Sequence, residues 1–224
     1  GARLGSHLAA AGDTNGDNFS DLLIAGRDSK QAYLVFGKPM PQGEVTLDGG
    51  QNAYRVELQT PTPVTGLAAA GDVNGDGYGD LLVTAGSTAY LIFGMADPWP
   101  VTLDVAANAA ASFSGSSAFG VGDTDKDQLA EWVVTAPQTI SLYNWDSEKD
   151  VVAFVTQDAA PQIAALGDVN QDGYADWLYS NSANPVLVYE AVNGSSPVTR
   201  TFSGYDGFFA APGDVDGDGR AVIL

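Results

Sequence analysis

The stretch Gly71-Asp72-Val73-Asn74-Gly75-Asp76-Gly77-Tyr78-Gly79-Asp80-Leu81-Leu82-Val83 decides the reading of this chain, because it recurs. Variants begin at Gly12 (GDTNGDNFSDLLIAG), Gly122 (GDTDKDQLAEWVVTAP), Gly167 (GDVNQDGYADWLYS) and Gly213 (GDVDGDGRAVIL). The first acids, Asp13, Asp72, Asp123, Asp168 and Asp214, are spaced by 59, 51, 45 and 46 residues. A fixed period of this length marks a repeat architecture.

The flanks repeat as well. A run of small and apolar residues precedes each loop, as in Leu8-Ala9-Ala10-Ala11 and Leu67-Ala68-Ala69-Ala70. A strand-like run follows the first four loops, as in Leu22-Leu23-Ile24 and Trp132-Val133-Val134. About ten residues later comes another, as in Ala32-Tyr33-Leu34-Val35-Phe36 and Ile140-Ser141-Leu142-Tyr143. A fourth closes each unit: Val45-Thr46-Leu47, Val101-Thr102-Leu103, Val151 to Phe154 and Val198 to Phe202. Such runs, rich in β-branched and aromatic residues and bounded by Gly, Asn and Pro, read as strands. The expected fold is all-β: a β-propeller of four-stranded antiparallel blades. Four full repeats (about 1–59, 60–110, 111–157 and 158–203) and a partial fifth (204–224) form one repeat domain. The alanine-rich first strand fits the innermost position, where blades converge. Rungs of a parallel β-helix are usually shorter than this period.

Numbered from its first acid, each loop carries oxygen side chains at positions 1, 3, 5 and 9. They are Asp13, Asn15, Asp17 and Asp21; Asp72, Asn74, Asp76 and Asp80; Asp123, Asp125, Asp127 and Glu131; and Asp168, Asn170, Asp172 and Asp176. The fifth loop has Asp214, Asp216 and Asp218, but Val222 at position 9. Alternating short oxygen side chains converge when the backbone curls tightly. Calcium takes six to eight oxygens, backbone carbonyls included. The carbonyl of position 7 (Phe19, Tyr78, Leu129, Tyr174) would add a ligand. Glycine at position 6 eases the turn in Gly77, Gly173 and Gly219, and Asn18 and Gln128 replace it elsewhere. Softer metals would want His or Cys, and the chain has one histidine, His7, and no cysteine. Magnesium demands stricter octahedral geometry. An EF-hand needs Glu at position 12 and flanking helices, whereas position 12 is Ile24, Val83, Val134 or Tyr179 inside strand-like runs. Hairpin turns alone need one or two Asx residues, not four at fixed offsets in four copies.

The charge supports the same reading. Of the 28 acidic residues 16 lie in the five loops, and the net charge is −19. Without an ion each loop holds like charges a few ångströms apart, and calcium turns that repulsion into attraction. The same balance repels nucleic acid and anionic membranes. No apolar run approaches the roughly 20 residues that span a bilayer. The absence of an initial Met points to processing or excision from a longer protein.

GDVNGDGYGDLLV, preceded by a small-residue strand and followed by Ala89-Tyr90-Leu91-Ile92-Phe93-Gly94, resembles the FG-GAP repeat of integrin alpha-subunit propellers and their bacterial relatives. The motif is tightest in the first, second and fourth repeats, and looser in the third, with Lys126 and Gln128. The resemblance implies calcium held between the first two strands of each blade, at positions 1, 3, 5, 7 and 9, and an extracellular setting. Family propellers typically have seven blades. The chain is then a fragment, or other strands complete the ring, and an unclosed array has open edges that invite self-assembly.

The leading functional expectation is a non-catalytic, calcium-stabilised module of a secreted or cell-surface protein, binding protein or glycan partners in adhesion. A glycan-binding propeller is the first alternative, with Trp99 and Trp145 as stacking candidates in turns; Trp132 and Trp177 read as strand packing. The second is the propeller of a polysaccharide lyase or hydrolase. His7, just before the first strand, reads as a surface or edge residue, and no G-x-S-x-G elbow is present. The sequons at Asn18 and Asn193 read as a metal loop and a hairpin turn.

Overall fold

Alternating apolar runs between glycine and asparagine turns become strands because β-branched and aromatic side chains pack well on a pleated surface. The structure, a computed structural model, describes residues 4–38, 54–145, 152–155, 161–181, 184–189 and 198–201. The fifth loop, with Asp214, Asp216 and Asp218, lies outside the described residues, as do Val45-Thr46-Leu47 and the sequon at Asn193.

The described residues are all-β apart from one short helix, and form four sheets. The first contains β1 (Leu4–Gly12), β2 (Asp21–Gly26), β3 (Gln31–Val35) and β4 (Arg55–Gln59) in sequential antiparallel order. The second contains β5 (Val64–Gly71), β6 (Asp80–Ala85), β7 (Thr88–Ile92) and β9 (Ala111–Ser114). The third contains β10 (Ser117–Gly122), β11 (Glu131–Ala136), β12 (Thr139–Tyr143) and β13 (Val152–Val155). The fourth contains β14 (Ile163–Gly167), β15 (Asp176–Asn181), β16 (Asn184–Tyr189) and β17 (Val198–Thr201). His7 lies within β1, opposite Ala25, rather than before it.

Two expectations about the fourth strands are corrected. Val101-Thr102-Leu103 does not close the second sheet. Instead β8 (Thr102–Asp104) joins the first sheet, parallel to β4, with Leu58 opposite Leu103. The first sheet therefore has five strands rather than four. The second is closed by β9, beyond the expected boundary at residue 110. Between β8 and β9 runs the helix α1 (Val105–Asn108), whose first turn is capped by the Asp104 carboxylate accepting from the Ala107 N–H at 3.0 Å. Val105 is fully buried and ties this connection to the core.

The Gly-Asp pair that opens each loop has a structural cause. The register slips between Ala10 and Gly12, between Ala69 and Gly71, and between Ala165 and Gly167. Each slip places one extra residue in the first strand, and those residues (Ala11, Ala70, Leu166) are buried. Such a bulge bends the strand and needs a left-handed residue. Gly12, Gly71 and Gly167 supply it with φ of 74°, 89° and 70°. The chain thereby leaves the sheet with the first acid already turned into the loop.

The chain divides into two compact units, Gly1–Ala118 and Phe119–Leu224. In the first, Leu23, Leu34, Leu58, Leu81, Val83, Ile92 and Trp99 share one core. Trp99 is a correction: it is 8% exposed, lies 6.0 Å from the Phe36 ring and donates its indole N–H to the Met95 carbonyl at 2.8 Å. It is a packing residue and is not open for sugar stacking. In the second, Val121, Val133, Ile140, Trp177 and Tyr179 form the core, with the Phe154 ring edge-on to Trp177 at 5.2 Å. Trp132 and Trp177 are buried, in agreement with strand packing, and Trp145 is 39% exposed.

The core predicts a contrast. Leu34→Ala, at a fully buried site, should cost about 2–5 kcal/mol in denaturant unfolding. Leu8→Ala, at an exposed strand position, should stay within about 0.5 kcal/mol.

Candidate metal centres in the loops

Each described loop joins the first two strands of its sheet: β1 to β2, β5 to β6, β10 to β11 and β14 to β15. The loops share one curl. Position 4 is left-handed in Gly16, Gly75, Lys126 and Gln171, with φ of 80°, 76°, 66° and 62°. Position 6 is left-handed in Asn18, Gly77, Gln128 and Gly173, with φ of 67°, 88°, 74° and 86°. The sequence pointed to position 6 through its glycines. Position 4 was hidden because Lys126 and Gln171 are not residues that favour this region.

The curl aims backbone N–H groups inward, and the acids accept them. Asp72 Oδ1 accepts from Gly75 at 2.7 Å and from Asp76 at 3.2 Å, and Oδ2 accepts from Gly77 at 2.8 Å. Asp13 accepts from Gly16, Asp17 and Asn18 at 2.7, 3.1 and 2.7 Å. Asp123 accepts from Lys126 and Gln128 at 2.6 and 3.0 Å, and Asp168 from Asp172 and Gly173 at 3.1 and 2.7 Å. Position 3 accepts from the N–H of position 5 in all four: Asn15, Asn74, Asp125 and Asn170. Position 5 accepts from position 7: Asp17 from Phe19, Asp76 from Tyr78, Asp127 from Leu129 and Asp172 from Tyr174. The side chains at positions 1, 3 and 5 of each loop are thus held against the loop's own curled backbone, and among the described residues the third loop alone gathers three carboxylates into one cluster.

Position 9 is the first residue of the second strand. Asp21, Asp80, Glu131 and Asp176 are all buried there. Each takes the N–H of position 2: Thr14 at 2.9 Å, Val73 at 2.8 Å, Thr124 at 2.6 Å and Val169 at 2.9 Å. The other oxygen of Asp21 accepts from the Gly37 N–H, and that of Asp80 from the Gly94 N–H, both at 2.8 Å. These glycines follow the third strand, and the sequence reading gave them no role beyond the motif. A Cβ on Gly37 would lie 2.4 Å from the Ser20 carbonyl oxygen, and one on Gly94 would lie 2.5 Å from that of Gly79. Only glycine brings its N–H so close.

Burial sets the electrostatics. It pushes the Asp80 carboxyl up to about 6 and the Glu131 carboxyl up to about 8, against the N–H groups of Val73 and Gly94 and of Thr124 respectively, which pull the other way. Nearby loop acids add to the rise: Asp76 and Asp72 for Asp80, Asp125 and Asp127 for Glu131. Asp21 is raised by burial as well.

Neighbouring loops are joined inside each unit. The Gly79 N–H, at position 8 of the second loop, donates to the Asp13 carbonyl at 2.7 Å. The Ala175 N–H, at position 8 of the fourth, donates to the Asp123 carbonyl at 2.8 Å. Asn15 also donates to Asp97 at 3.2 Å, a carboxylate that the sequence reading did not single out. Lys126 reaches the Asp172 carbonyl, and its ammonium lies 3.8 Å from the Tyr174 ring centroid.

The donor set fits calcium: hard oxygens, several of them charged, with nitrogen and sulfur ligands absent from the loop positions. In the third loop one carboxylate oxygen from each of Asp123, Asp125 and Glu131 lies within 4.8 Å of the others. Oxygens on a shell at about 2.3–2.6 Å from an ion lie within such distances of each other.

Residues 65–91 match the FG-GAP repeat family. This stretch runs from β5 through the second loop into β7, so the chain carries an FG-GAP repeat there, as its sequence resemblance implied. A comparison with curated proteins finds no match. Among solved structures, BBS1N in complex with ARL6DN, soaked with lead, is similar at a TM-score of 0.49 and 14% identity. The similarity covers 90% of this chain and 61% of that one, so this chain spans less than two thirds of its length.

Two outcomes follow from the geometry. Gly94→Ala must displace the Gly79 backbone and should cost about 1–3 kcal/mol in denaturant unfolding. In chelator, the raised carboxyls make stability depend on pH. Their protons are held more tightly in the folded chain, so their stabilisation is full below about pH 4, the ordinary carboxylate range. It is lost as pH rises through about 6 for Asp80 and about 8 for Glu131. Unfolding midpoints in chelator should therefore fall steadily between these values.

Proposed function

We propose, taking the FG-GAP repeat at residues 65–91 as the premise, that this chain is a non-catalytic interaction module built as blades of a calcium-stabilised β-propeller. The observation that carries the proposal is the repetition of one loop geometry, with oxygen side chains at positions 1, 3, 5 and 9, in all four described loops. A turn that served only to reverse the chain would not need a buried acid at position 9 in each copy. The four sheets, each of which opens with at least three consecutive strands in order, support blades, and the array of loops supports calcium as a structural ion.

The setting we propose is extracellular, at a cell surface. Structural calcium sites of extracellular modules bind at about 10⁻⁴–10⁻³ M, which suits exterior calcium and would leave the loops empty in the cytosol. The partner we propose is a protein, bound in an adhesive role. Trp145, exposed beside the third loop, favours a glycan as the second reading. Open sheet edges offer a route to self-assembly.

The experiment is thermal unfolding with and without chelator. An ion that binds only the folded chain adds about 2.7 kcal/mol per site at a hundredfold excess over its Kd. The unfolding temperature should rise with calcium and fall in chelator, and Asp72→Ala should reduce the rise. An unchanged temperature in chelator would remove calcium from the proposal.

A further inference from the structure

The third repeat departs from the others at three positions that meet in space. Position 3 is Asp125 where the other described loops have Asn15, Asn74 and Asn170; position 9 is Glu131 where they have aspartate. After the third strand, one residue past the partner of loop position 10, stands Asn144, where the first two repeats have Phe36 and Phe93. In the other loops the position 3 amide donates to position 5, as Asn74 does to Asp76 at 2.9 Å. Asp125 cannot donate. Asn144 supplies the amide instead: its Nδ2 lies 3.1 Å from Asp125 Oδ2, 3.3 Å from Asp127 Oδ2 and 3.2 Å from Glu131 Oε1.

An amide nitrogen has two hydrogens, and here three carboxylates converge on it. The nitrogen takes the place of a positive charge. Glu131, one methylene longer than aspartate, reaches this side chain, whereas Asp21 and Asp80 reach a glycine N–H. The same side chain presents a carbonyl oxygen after a half-turn about its last bond. Among three carboxylates that oxygen is repelled. Beside a divalent cation it is a ligand, since side-chain amide carbonyls are ordinary calcium ligands.

We infer that Asn144 is a calcium ligand of the third loop, contributed from outside the nine-residue motif, and that its amide turns from nitrogen-inward to oxygen-inward when the ion binds. Asn144 then joins Asp123, Asp125, Asp127, Glu131 and the Leu129 carbonyl, giving the third site a sixth protein oxygen and the most acidic side-chain set of the four. This inference rests on the calcium reading of the loops.

Calcium titration of the ¹⁵N-labelled 23.1 kDa chain, followed by NMR, tests it. The amides of Gln128 and Leu129 report the third loop, those of Gly75 and Gly77 the second, and the Asn144 side-chain NH₂ its own turn. Asn144→Ala should move the third-loop midpoint to at least about tenfold higher calcium, the scale on which even outer-shell partners act. The second-loop midpoint should not move. Asn144→Asp, which keeps an oxygen and loses the N–H donors, should bring the third-loop midpoint back to the wild-type value or below. If Asn144→Ala does not fold, Asn144→Gly, which also removes the side-chain amide, gives the same comparison. A midpoint unchanged or lowered in the alanine variant, or an aspartate variant as weak as alanine, overturns the inference and leaves Asn144 a hydrogen-bond donor. No calcium-dependent shift in any wild-type loop overturns the calcium reading itself, and the inference with it.

Discussion

A carboxylate buried at the start of the second strand holds each repeat together. In the first two repeats one of its oxygens takes the N–H of the loop's second residue, and the other takes the N–H that follows the third strand. One side chain thus fastens the mouth of the loop to three consecutive strands. Burying such a group is costly unless it is fully hydrogen-bonded or paired. The raised carboxyls of Asp21, Asp80 and Glu131 show that the N–H groups alone do not offset that cost. A proton supplies the remainder at low pH, and in the calcium reading proposed above a cation takes its place.

The loops are also fastened to each other. In each unit the position 8 N–H of one loop donates to the position 1 carbonyl of the loop before it. Side chains follow the same path. The Tyr78 ring lies where a Cβ on Gly16 would be, at 2.6 Å, and the Tyr174 ring faces Lys126. An aromatic at position 7 therefore covers position 4 of the preceding loop, which is either glycine or a cation. The third repeat keeps this logic through matched changes. Its longer acid at Glu131 comes with Asn144, and its Lys126 comes with a neighbouring ring.

Much of this was legible in the sequence because it is local. Oxygen side chains at alternating positions, glycine before the first acid and an acid ahead of an apolar run act within a dozen residues. What was not legible depends on distant partners. The three residues of β8 carry no sign of whether they extend their own sheet or run parallel to β4. Pro98-Trp99-Pro100 reads as an exposed turn, yet Phe36 and the Met95 carbonyl enclose its indole. Asn144 lies 13 residues beyond Glu131, and only the β11–β12 hairpin brings it back to the loop. Strain at Lys126 and Gln171 leaves no mark in residue type.

Everything turns on whether cations complete the buried and clustered carboxylates. Native mass spectrometry of the chelator-stripped chain, after calcium is returned at about millimolar concentration, counts them directly. Four bound ions are predicted for the four loops with complete side-chain sets, and three when Asp80 is replaced by Asn. A chain that binds none, or whose count does not change in Asp80→Asn, would contradict the account.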